Sequence, residues 1–181
     1  MRSNTLLKAV AFATSGIVVG SGVIEFAGYE VALVDGQSMQ PTLNPHPKIL
    51  NSPDNGWNFS DWVLISHNER FNVKVGDIVT LNNPTTPLDR DIKRVKATEH
   101  QVMQTYKGET VVIPKGHMWV EGDNRWLSKD SNKYGPIPAG LVFGKAVAIV
   151  WPPSRWQSLK PALPHSGKLV NAAEEISKSD D

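Results

Sequence analysis

A serine at position 38 lies in a turn whose composition could expose its hydroxyl group. It belongs to the stretch Asp35-Gly36-Gln37-Ser38-Met39-Gln40-Pro41-Thr42-Leu43, where a glycine precedes the serine and Pro41 stiffens the backbone after it. A serine hydroxyl attacks an amide only when a base removes its proton. Taken alone, the stretch is equally typical of an ordinary loop, so Ser38 is a candidate nucleophile that requires a partner.

The candidate base is a lysine in the stretch Asp91-Ile92-Lys93-Arg94-Val95. Alternate residues of a strand share a face, so we expect Lys93 and Arg94 to point to opposite sides. A free lysine, with a pKa of about 10.4, is protonated at neutral pH and cannot act as a base. Burial among apolar groups disfavours the ammonium form and lowers that pKa. The alternative interpretation is a pair of solvated basic residues on an edge strand.

A third polar segment spans residues 122–136, with the sequence GDNRWLSKDSNKYGP, and comes after the apolar Met118-Trp119-Val120. Asp, Asn, Ser and Gly are dense in it, which is typical of a turn-rich surface loop. A loop of this length without a strand favours a functional role.

Composition excludes several other kinds of site. The 181 residues contain no cysteine, which rules out a disulfide scaffold, a thiol nucleophile and cysteine-bound metal. Nineteen Lys and Arg against 18 Asp and Glu argue against a nucleic-acid partner. No two of the five histidines are four residues apart, so a helical zinc pair is absent. The composition predicts neither a metal nor another cofactor.

Fourteen glycines and 13 prolines indicate many turns and short strands. We predict a mainly β fold with strands at residues 61–66, 77–81, 90–95, 101–106, 110–113 and 144–151, which are rich in Val, Ile and aromatic residues. A hairpin is expected around Lys107-Gly108, and Pro84 and Pro87 mark a loop between the second and third of these strands.

The N-terminal residues differ from the rest of the chain. Residues 9–24 carry no charge, with basic residues before them and acidic residues after them. This pattern fits a single membrane span with its N-terminus on the cytoplasmic or matrix side, although a cleaved signal peptide and a buried helix stay open. We predict a membrane anchor helix at residues 1–30, a catalytic β domain at 31–155 and a partly disordered C-terminal extension at 156–181.

Together, the three polar segments resemble the type I signal peptidases, which are membrane-anchored Ser/Lys endopeptidases. GQSMQPTL resembles the nucleophile box of that family, DIKRV its lysine box, and GDNRWLSKDSNKYGPIP its GDN box, in the family's order. The small size and the short insertion between the last two boxes are more similar to the mitochondrial inner membrane peptidase, and to one of its two subunit types, than to the larger bacterial enzymes.

The resemblance implies a signal-peptidase-like antiparallel β domain with an N-terminal transmembrane helix, and a role for each matching residue. Ser38 is the nucleophile and Lys93 the general base. Ser128 and Asp130 hold the lysine in place, and Asp123 forms an ion pair with Arg94. The Ser38 backbone N–H donates to the oxyanion. Bacterial members often carry a helping serine two positions before the nucleophile. Gly36 stands there in this chain, which leaves the second oxyanion donor open.

The resemblance also implies a substrate and a location. The chain would remove signal or sorting peptides from precursor proteins delivered to the mitochondrial intermembrane space, from a single-pass position in the inner membrane. A second homologous peptidase subunit would form a heterodimer with it. Substrates would add as an extended strand beside the residues before Ser38 and before Lys93, with pocket walls from residues 31–34 and Met39. A self-cleaving Ser/Lys protein and a non-catalytic β subunit are the alternatives.

Overall fold

The structure of the chain is a computed structural model that describes residues 24–26, 28–45, 60–86, 88–162 and 168–170. Residues 1–23 of the predicted anchor lie outside the described residues, so the anchor stays a prediction. Within the described ranges, no helix is long and apolar enough to cross a membrane.

Short strands dominate these ranges, as the sequence predicted. They are β1 (Ile24–Phe26), β2 (Tyr29–Leu33), β3 (Trp62–Ser66), β4 (Ile78–Asn82), β5 (Arg90–Thr98), β6 (Val102–Gln104), β7 (Thr110–Val112), β8 (His117–Glu121), β9 (Ile137–Pro138), β10 (Val142–Trp151), β11 (Gln157–Ser158) and β12 (Lys168–Val170). One short α-helix, α1 (Ser131–Tyr134), and 3-10 turns at Asn68–Phe71, Ala139–Leu141 and Pro153–Arg155 complete the described elements.

The strands form two antiparallel sheets. The main sheet has the order β1-β2-β3-β10-β4-β5-β8-β9, with β11 paired to β10, and the small sheet has the order β12-β6-β7. β5 therefore lies between β4 and β8, with Lys93 opposite Val79 and Arg94 opposite both Ile78 and Glu121. The mainly β, antiparallel fold class is confirmed.

All six predicted strands are present, and β6 and β7 form the expected hairpin around Lys107-Gly108. β8 was missed as a strand, because its apolar centre was interpreted only as the lead-in to the polar segment. β-structure begins at Ile24, before the boundary drawn at residue 31, because β1 pairs back on β2 across Gly28, whose φ is 80°. Part of the C-terminal extension is also strand, since β11 and β12 both pair with earlier strands.

Three groups of buried apolar side chains form the core. The group that matters for the site joins the segment after β2, which carries Ser38, to β3, β4 and β10. It contains Val34, Met39, Leu43, Val63, Ile65, Ile78, Ala146 and Ile149. Met39 and Leu43 are almost completely buried. The residues on either side of Ser38 are thereby held against the main sheet.

Candidate active site

The Ser38 turn is defined here as residues 34–44, the segment that leaves β2 and carries Ser38. It is closed by backbone hydrogen bonds from Gln40 N to Gln37 O (3.2 Å) and from Leu43 N to Met39 O (2.9 Å). Gly36 has a φ of 95°, in the left-handed region that favours glycine. A serine at this position would be strained, which gives a physical reason for the departure from the bacterial pattern.

Asn44 holds the two ends of the turn together. Its Nδ2 donates to Val34 O (2.8 Å) and to Gly36 O (3.2 Å). Its backbone N–H donates to Asp61 Oδ2 (2.8 Å), and Asp61 N donates back to Asn44 Oδ1 (2.7 Å). Arg155 then binds the same carboxylate with both Nε (2.7 Å) and Nη2 (2.9 Å), and Thr42 O as well. A residue just beyond β10 therefore stabilises the base of the turn.

β5 brings Lys93 to Ser38. Lys93 Nζ lies 3.2 Å from Ser38 Oγ and donates a second hydrogen bond to Ile92 O (3.1 Å). The two residues are 55 positions apart in the sequence and within hydrogen-bond reach in the structure. A neutral amine has two N–H donors and one lone pair, so Ile92 O can take a donor while the lone pair accepts the Ser38 proton. The separation of the two atoms is one that a serine nucleophile and its base require.

Burial lowers the pKa of Lys93. The Lys93 residue is 3 % exposed, and desolvation lowers its pKa from the ordinary value of 10.5. The negative charges of Asp91 and Asp130 oppose the effect without reversing it. Asp91 is the closer of the two, with Oδ1 3.9 Å from Nζ. The interpretation of Lys93 as a solvated surface residue is wrong.

Lys96, three residues farther along β5, is a second buried lysine with a lowered pKa, again because of desolvation. The charges of Glu121 and Asp123 oppose that shift, and the charge of Arg94 adds to it. A lowered pKa alone therefore does not mark the base. Contact with Ser38 Oγ separates Lys93 from Lys96.

Arg94 and Asp123 form the predicted ion pair. Arg94 Nε and Nη2 donate to the two Asp123 carboxylate oxygens at 2.8 and 2.7 Å, and Nη1 donates to Gly76 O at 2.8 Å. Thr42 Oγ1 also donates to Asp123. The pair therefore connects three parts of the site: β5, the polar segment and the Ser38 turn.

The polar segment, residues 122–136, packs directly on Ser38. Asn124 N donates to Ser38 O (2.9 Å). A Cβ atom added at Gly122 would overlap Ser38 O and the Ser128 side chain, so only glycine fits there. Asp130 accepts from Gly122 N (3.0 Å) and from Asn132 N (3.1 Å), which caps α1 and fixes the start of the segment.

Ser128 lies in this crowded region without a direct bond to the lysine. Its Oγ is buried and has no hydrogen-bond partner among the described residues. Asp130 acts on Lys93 through its charge and holds the polar segment through backbone bonds. That Ser128 and Asp130 orient Lys93 stays a prediction. That the Ser38 backbone N–H donates to an oxyanion likewise stays a prediction.

A cavity of about 190 Å³ opens beside Ser38 and Lys93, which are called the dyad from here on. Ser38 and Lys93 line one part of it, and its walls come from residues 32–34 and from Val63, Ile65, Ile92 and Phe143. Met39 was also expected in the wall, but it is buried in the core beneath the turn. Glu30, Asp35, Arg90 and Asp91 bring charge to the lining.

Several residues of the site were not anticipated from the sequence. Asn44, Asp61 and Arg155 brace the turn, and Glu30 and Arg90 line the cavity. The bonds that join Asn44 to Asp61, Glu30 to Arg90 and Asp61 to Arg155 span 17, 60 and 94 positions, so no local pattern links these residues. The one local signal is Asn44, an asparagine with a φ of 50°, a conformation that this residue tolerates.

Comparison with known proteins supports the family resemblance that the three sequence motifs indicated. The family model described as "Signal peptidase, peptidase S26" matches residues 96–151. Mitochondrial inner membrane protease subunit 2 of Mus musculus is 46% identical over 138 residues, which cover 74% of this chain and 74% of the relative. Its Saccharomyces cerevisiae counterpart is 40% identical over 159 residues, or 84% and 82% of the two chains. Mitochondrial inner membrane protease subunit 1 of Schizosaccharomyces pombe is 32% identical over 135 residues, or 72% and 78%.

Proposed function

Because the chain belongs to the signal peptidase family, peptidase S26, as its three motifs predicted, we propose that it is a serine endopeptidase that uses Ser38 and Lys93 to remove signal or sorting peptides. The observation that carries the proposal is the 3.2 Å separation of Ser38 Oγ and Lys93 Nζ, with the lysine buried and its pKa lowered.

The proposed reaction uses groups of this chain, the substrate and one water molecule. Neutral Lys93 takes the Ser38 proton as Oγ attacks the carbonyl carbon, and the Ser38 backbone N–H donates to the developing oxyanion. The Lys93 ammonium then protonates the leaving amine. Water hydrolyses the acyl-enzyme, with Lys93 again as base. The lowered pKa supports both steps, because a base is most effective when its pKa lies close to the working pH.

The setting of the reaction is proposed from the relatives. Proteins named mitochondrial inner membrane protease subunits suggest cleavage of precursors at that membrane. We place the chain there with a single N-terminal span, its β domain facing the intermembrane space and a subunit 1-type partner beside it. The predicted independence from metals and cofactors remains part of the proposal.

A serine-directed covalent probe tests the nucleophile. The full-length chain, expressed with its partner subunit, is incubated with a fluorophosphonate or a β-lactam-type acylating agent, and the modified residue is mapped by mass spectrometry. We expect acylation of Ser38 and loss of precursor cleavage. Ser158→Ala is the matched control, since Ser158 is an exposed serine of β11 that does not line the cavity beside Ser38.

The outcome also separates the alternatives. A correctly assembled chain whose Ser38 stays unmodified, and whose Ser38→Ala variant leaves precursor cleavage unchanged, would contradict the proposal and favour a non-catalytic subunit. Cleavage of the chain itself, rather than of an added precursor, would favour a self-cleaving protein.

A further inference from the structure

Arg155, which lies four residues beyond β10, connects the end of the main sheet to the Ser38 turn. Its Nε and Nη2 donate to the two carboxylate oxygens of Asp61, and Nη2 also donates to Thr42 O. The pairing with Asp61 spans 94 positions, and the bond to Thr42 spans 113. One side chain therefore joins the C-terminal part of the β domain to the segment that carries the proposed nucleophile.

The carboxylate that Arg155 binds is removed from water. The Asp61 side chain is 0 % exposed, whereas that of Arg155 is 22 % exposed. A buried carboxylate is costly unless a cation pairs with it. The planar guanidinium pairs through two bonds at 2.7 and 2.9 Å, a geometry that an ammonium cannot reproduce. Arg155 therefore fixes the position of the Asp61 carboxylate as well as compensating its charge.

Asn44 connects Asp61 to the backbone just before Ser38. Its backbone N–H donates to the Asp61 carboxylate at 2.8 Å, and its side-chain oxygen accepts from Asp61 N at 2.7 Å. The amide nitrogen of the same side chain donates to Gly36 O at 3.2 Å. Asn44 is 5 % exposed, so water does not readily replace these bonds. A series of buried hydrogen bonds therefore leads from Arg155 to the second residue before Ser38.

The two sides of Ser38 are held by different contacts. Met39, directly after Ser38, is 1 % exposed and is fixed by packing in the core. Gly36 is not fixed by packing: apart from its chain neighbours, no atom of the described residues lies within 4 Å of a Cβ placed there. The hydrogen bond from Asn44 is then the contact that locates Gly36 O. The position of Ser38 thus depends on the core on one side and on this bond on the other.

Arg155 is itself fixed by the main sheet. Its backbone N–H donates to Pro152 O at 2.9 Å, which closes the 3-10 turn at the end of β10. The residues that follow pair with β10 as β11, and Leu159 N donates to Val147 O at 2.9 Å. Leu159 also packs against the core group that contains Met39. The guanidinium is therefore presented to Asp61 from a rigid element, as the support of a catalytic group requires.

We propose, on the basis of the proposed function, that Arg155 is a positioning residue for Ser38. Acting through Asp61 and Asn44, it holds the turn in the geometry that keeps Ser38 Oγ within reach of Lys93 Nζ. Loss of this support displaces the hydroxyl and slows the chemical step. Substrate binding changes little, because strand pairing of β2 with β3 and of β4 with β5 holds the walls of the cavity beside the dyad.

Separate measurement of kcat and KM tests this inference. The full-length chain, assembled with its partner subunit, is offered a fluorogenic precursor peptide as the wild type, Arg155→Gln and Arg155→Lys. We expect Arg155→Gln to lower kcat by about 10²-fold, the effect of a small misplacement of a reacting group, with KM nearly unchanged. Arg155→Lys should recover part of kcat, because it keeps the charge but loses the two-bond geometry. The acid limb of the pH–rate profile should not move, because Arg155 is not among the groups that shift the pKa of Lys93.

Two further variants separate positioning from general stability. If Arg155 acts through Asp61, the double variant Asp61→Asn/Arg155→Gln should lose no more kcat than Arg155→Gln alone, whereas independent effects would multiply. Lys145→Gln is the matched control, because Lys145 pairs with Glu69 and Asp77, neither of which belongs to the Ser38 turn. It should lower the midpoint of chemical denaturation and leave kcat per folded molecule unchanged.

A wild-type kcat in Arg155→Gln would overturn the inference alone, whether or not the variant is less stable, as would a raised KM at unchanged kcat. If Arg155→Gln does not fold, the double variant replaces it, since it leaves no buried carboxylate unpaired, and a wild-type kcat there would overturn the inference equally. A wild-type chain that cleaves no precursor, and whose Ser38 is not acylated, would contradict the proposed function, and the inference would fall with it.

Discussion

Lys93 and Arg94 are adjacent, buried basic residues of β5 whose side chains lie on opposite faces of the strand. The two side chains differ in the partners that surround them. Arg94 has a bidentate carboxylate partner in Asp123 and a carbonyl partner in Gly76. Lys93 has a hydroxyl and a carbonyl as its close partners, with the Asp91 carboxylate 3.9 Å away. Both residues are at most 3 % exposed.

The difference shows how one strand serves structure and chemistry at once. A guanidinium does not lose its proton, so burial forces the protein to pair it, and the pair joins three segments. An ammonium can lose its proton, so a site whose desolvation outweighs the charge of its nearest carboxylates lowers its pKa instead. Lys145 marks the opposite case: burial alone lowers its pKa, but hydrogen bonds to Asp77 and Glu69 outweigh that effect and raise it.

The largest expected effect separates activity from stability at Lys93. Lys93→Met removes the base, so kcat/KM for a precursor peptide should fall by at least about 10³-fold. The free energy of unfolding should rise, because an amine that is costly to bury is replaced by an apolar chain of similar length. Lys93→Arg is the matched control: it keeps a cation that cannot act as a base and should be equally inactive.

The gain in stability of Lys93→Met over the wild-type chain should decrease as the pH rises. The unfolded chain retains the Lys93 proton up to its ordinary pKa of 10.5, whereas the folded chain releases it at lower pH. The wild-type chain therefore becomes more stable as pH rises between those two values. The advantage of Lys93→Met should be greatest below the folded-state pKa and should shrink towards pH 10.5. A lower stability of this variant across the whole range would contradict the account.

Replacing Arg94 should lower the stability of the chain, whereas Lys93→Met should raise it. Arg94→Met leaves the Asp123 carboxylate buried and unpaired, which should lower the free energy of unfolding by about 3–5 kcal/mol. Chemical denaturation of the full-length chain measures it. Arg94→Lys should restore only part of the loss, because an ammonium cannot reproduce the bidentate geometry. An Arg94→Met variant with wild-type stability would show that the pair is not the link between the segments.

The smallest expected effect adjusts the dyad without removing it. The charge of Asp91 raises the pKa of Lys93, so Asp91→Asn should lower that pKa further. The acid limb of the pH–rate profile should then move to lower pH, because the neutral amine persists there. Asp89→Asn is the control, since Asp89 is exposed on the same hairpin and does not contribute to the shift. A limb that moves to higher pH, or moves equally in both variants, would exclude Lys93 as the titrating base.

Much of the fold was accessible from local patterns. Short runs of Val, Ile and aromatic residues between turns predicted β3 to β7 and β10, because strand propensity and turn chemistry act over a few residues. β8 was missed, although its Met118, Trp119 and Val120 are buried. Strands this short are recognised through their pairing, here with β5, and pairing is not a local property.

Some residues of the candidate site could likewise be predicted from local sequence patterns, and others could not. Ser38, Lys93, Arg94 and Asp123 could be named from their motifs, since residue type and order suffice for a family resemblance. Asn44, Asp61 and Arg155 could not, because their contacts depend on the chain folding back over 17 and 94 positions. The same holds for Glu30 and Arg90, which meet across 60 positions.

By itself, then, the sequence determined which residues have the chemistry: a hydroxyl, an amine, an arginine and the acids around them, together with the β propensity of the strands. The tertiary structure alone decided what those groups are able to do. It buries Lys93 beside Ser38 Oγ with its nearest carboxylate, that of Asp91, 3.9 Å away, and it pairs Arg94 fully one residue later. Desolvation and charge pairing depend on which atoms surround a group in space, and neighbours along the chain do not specify them.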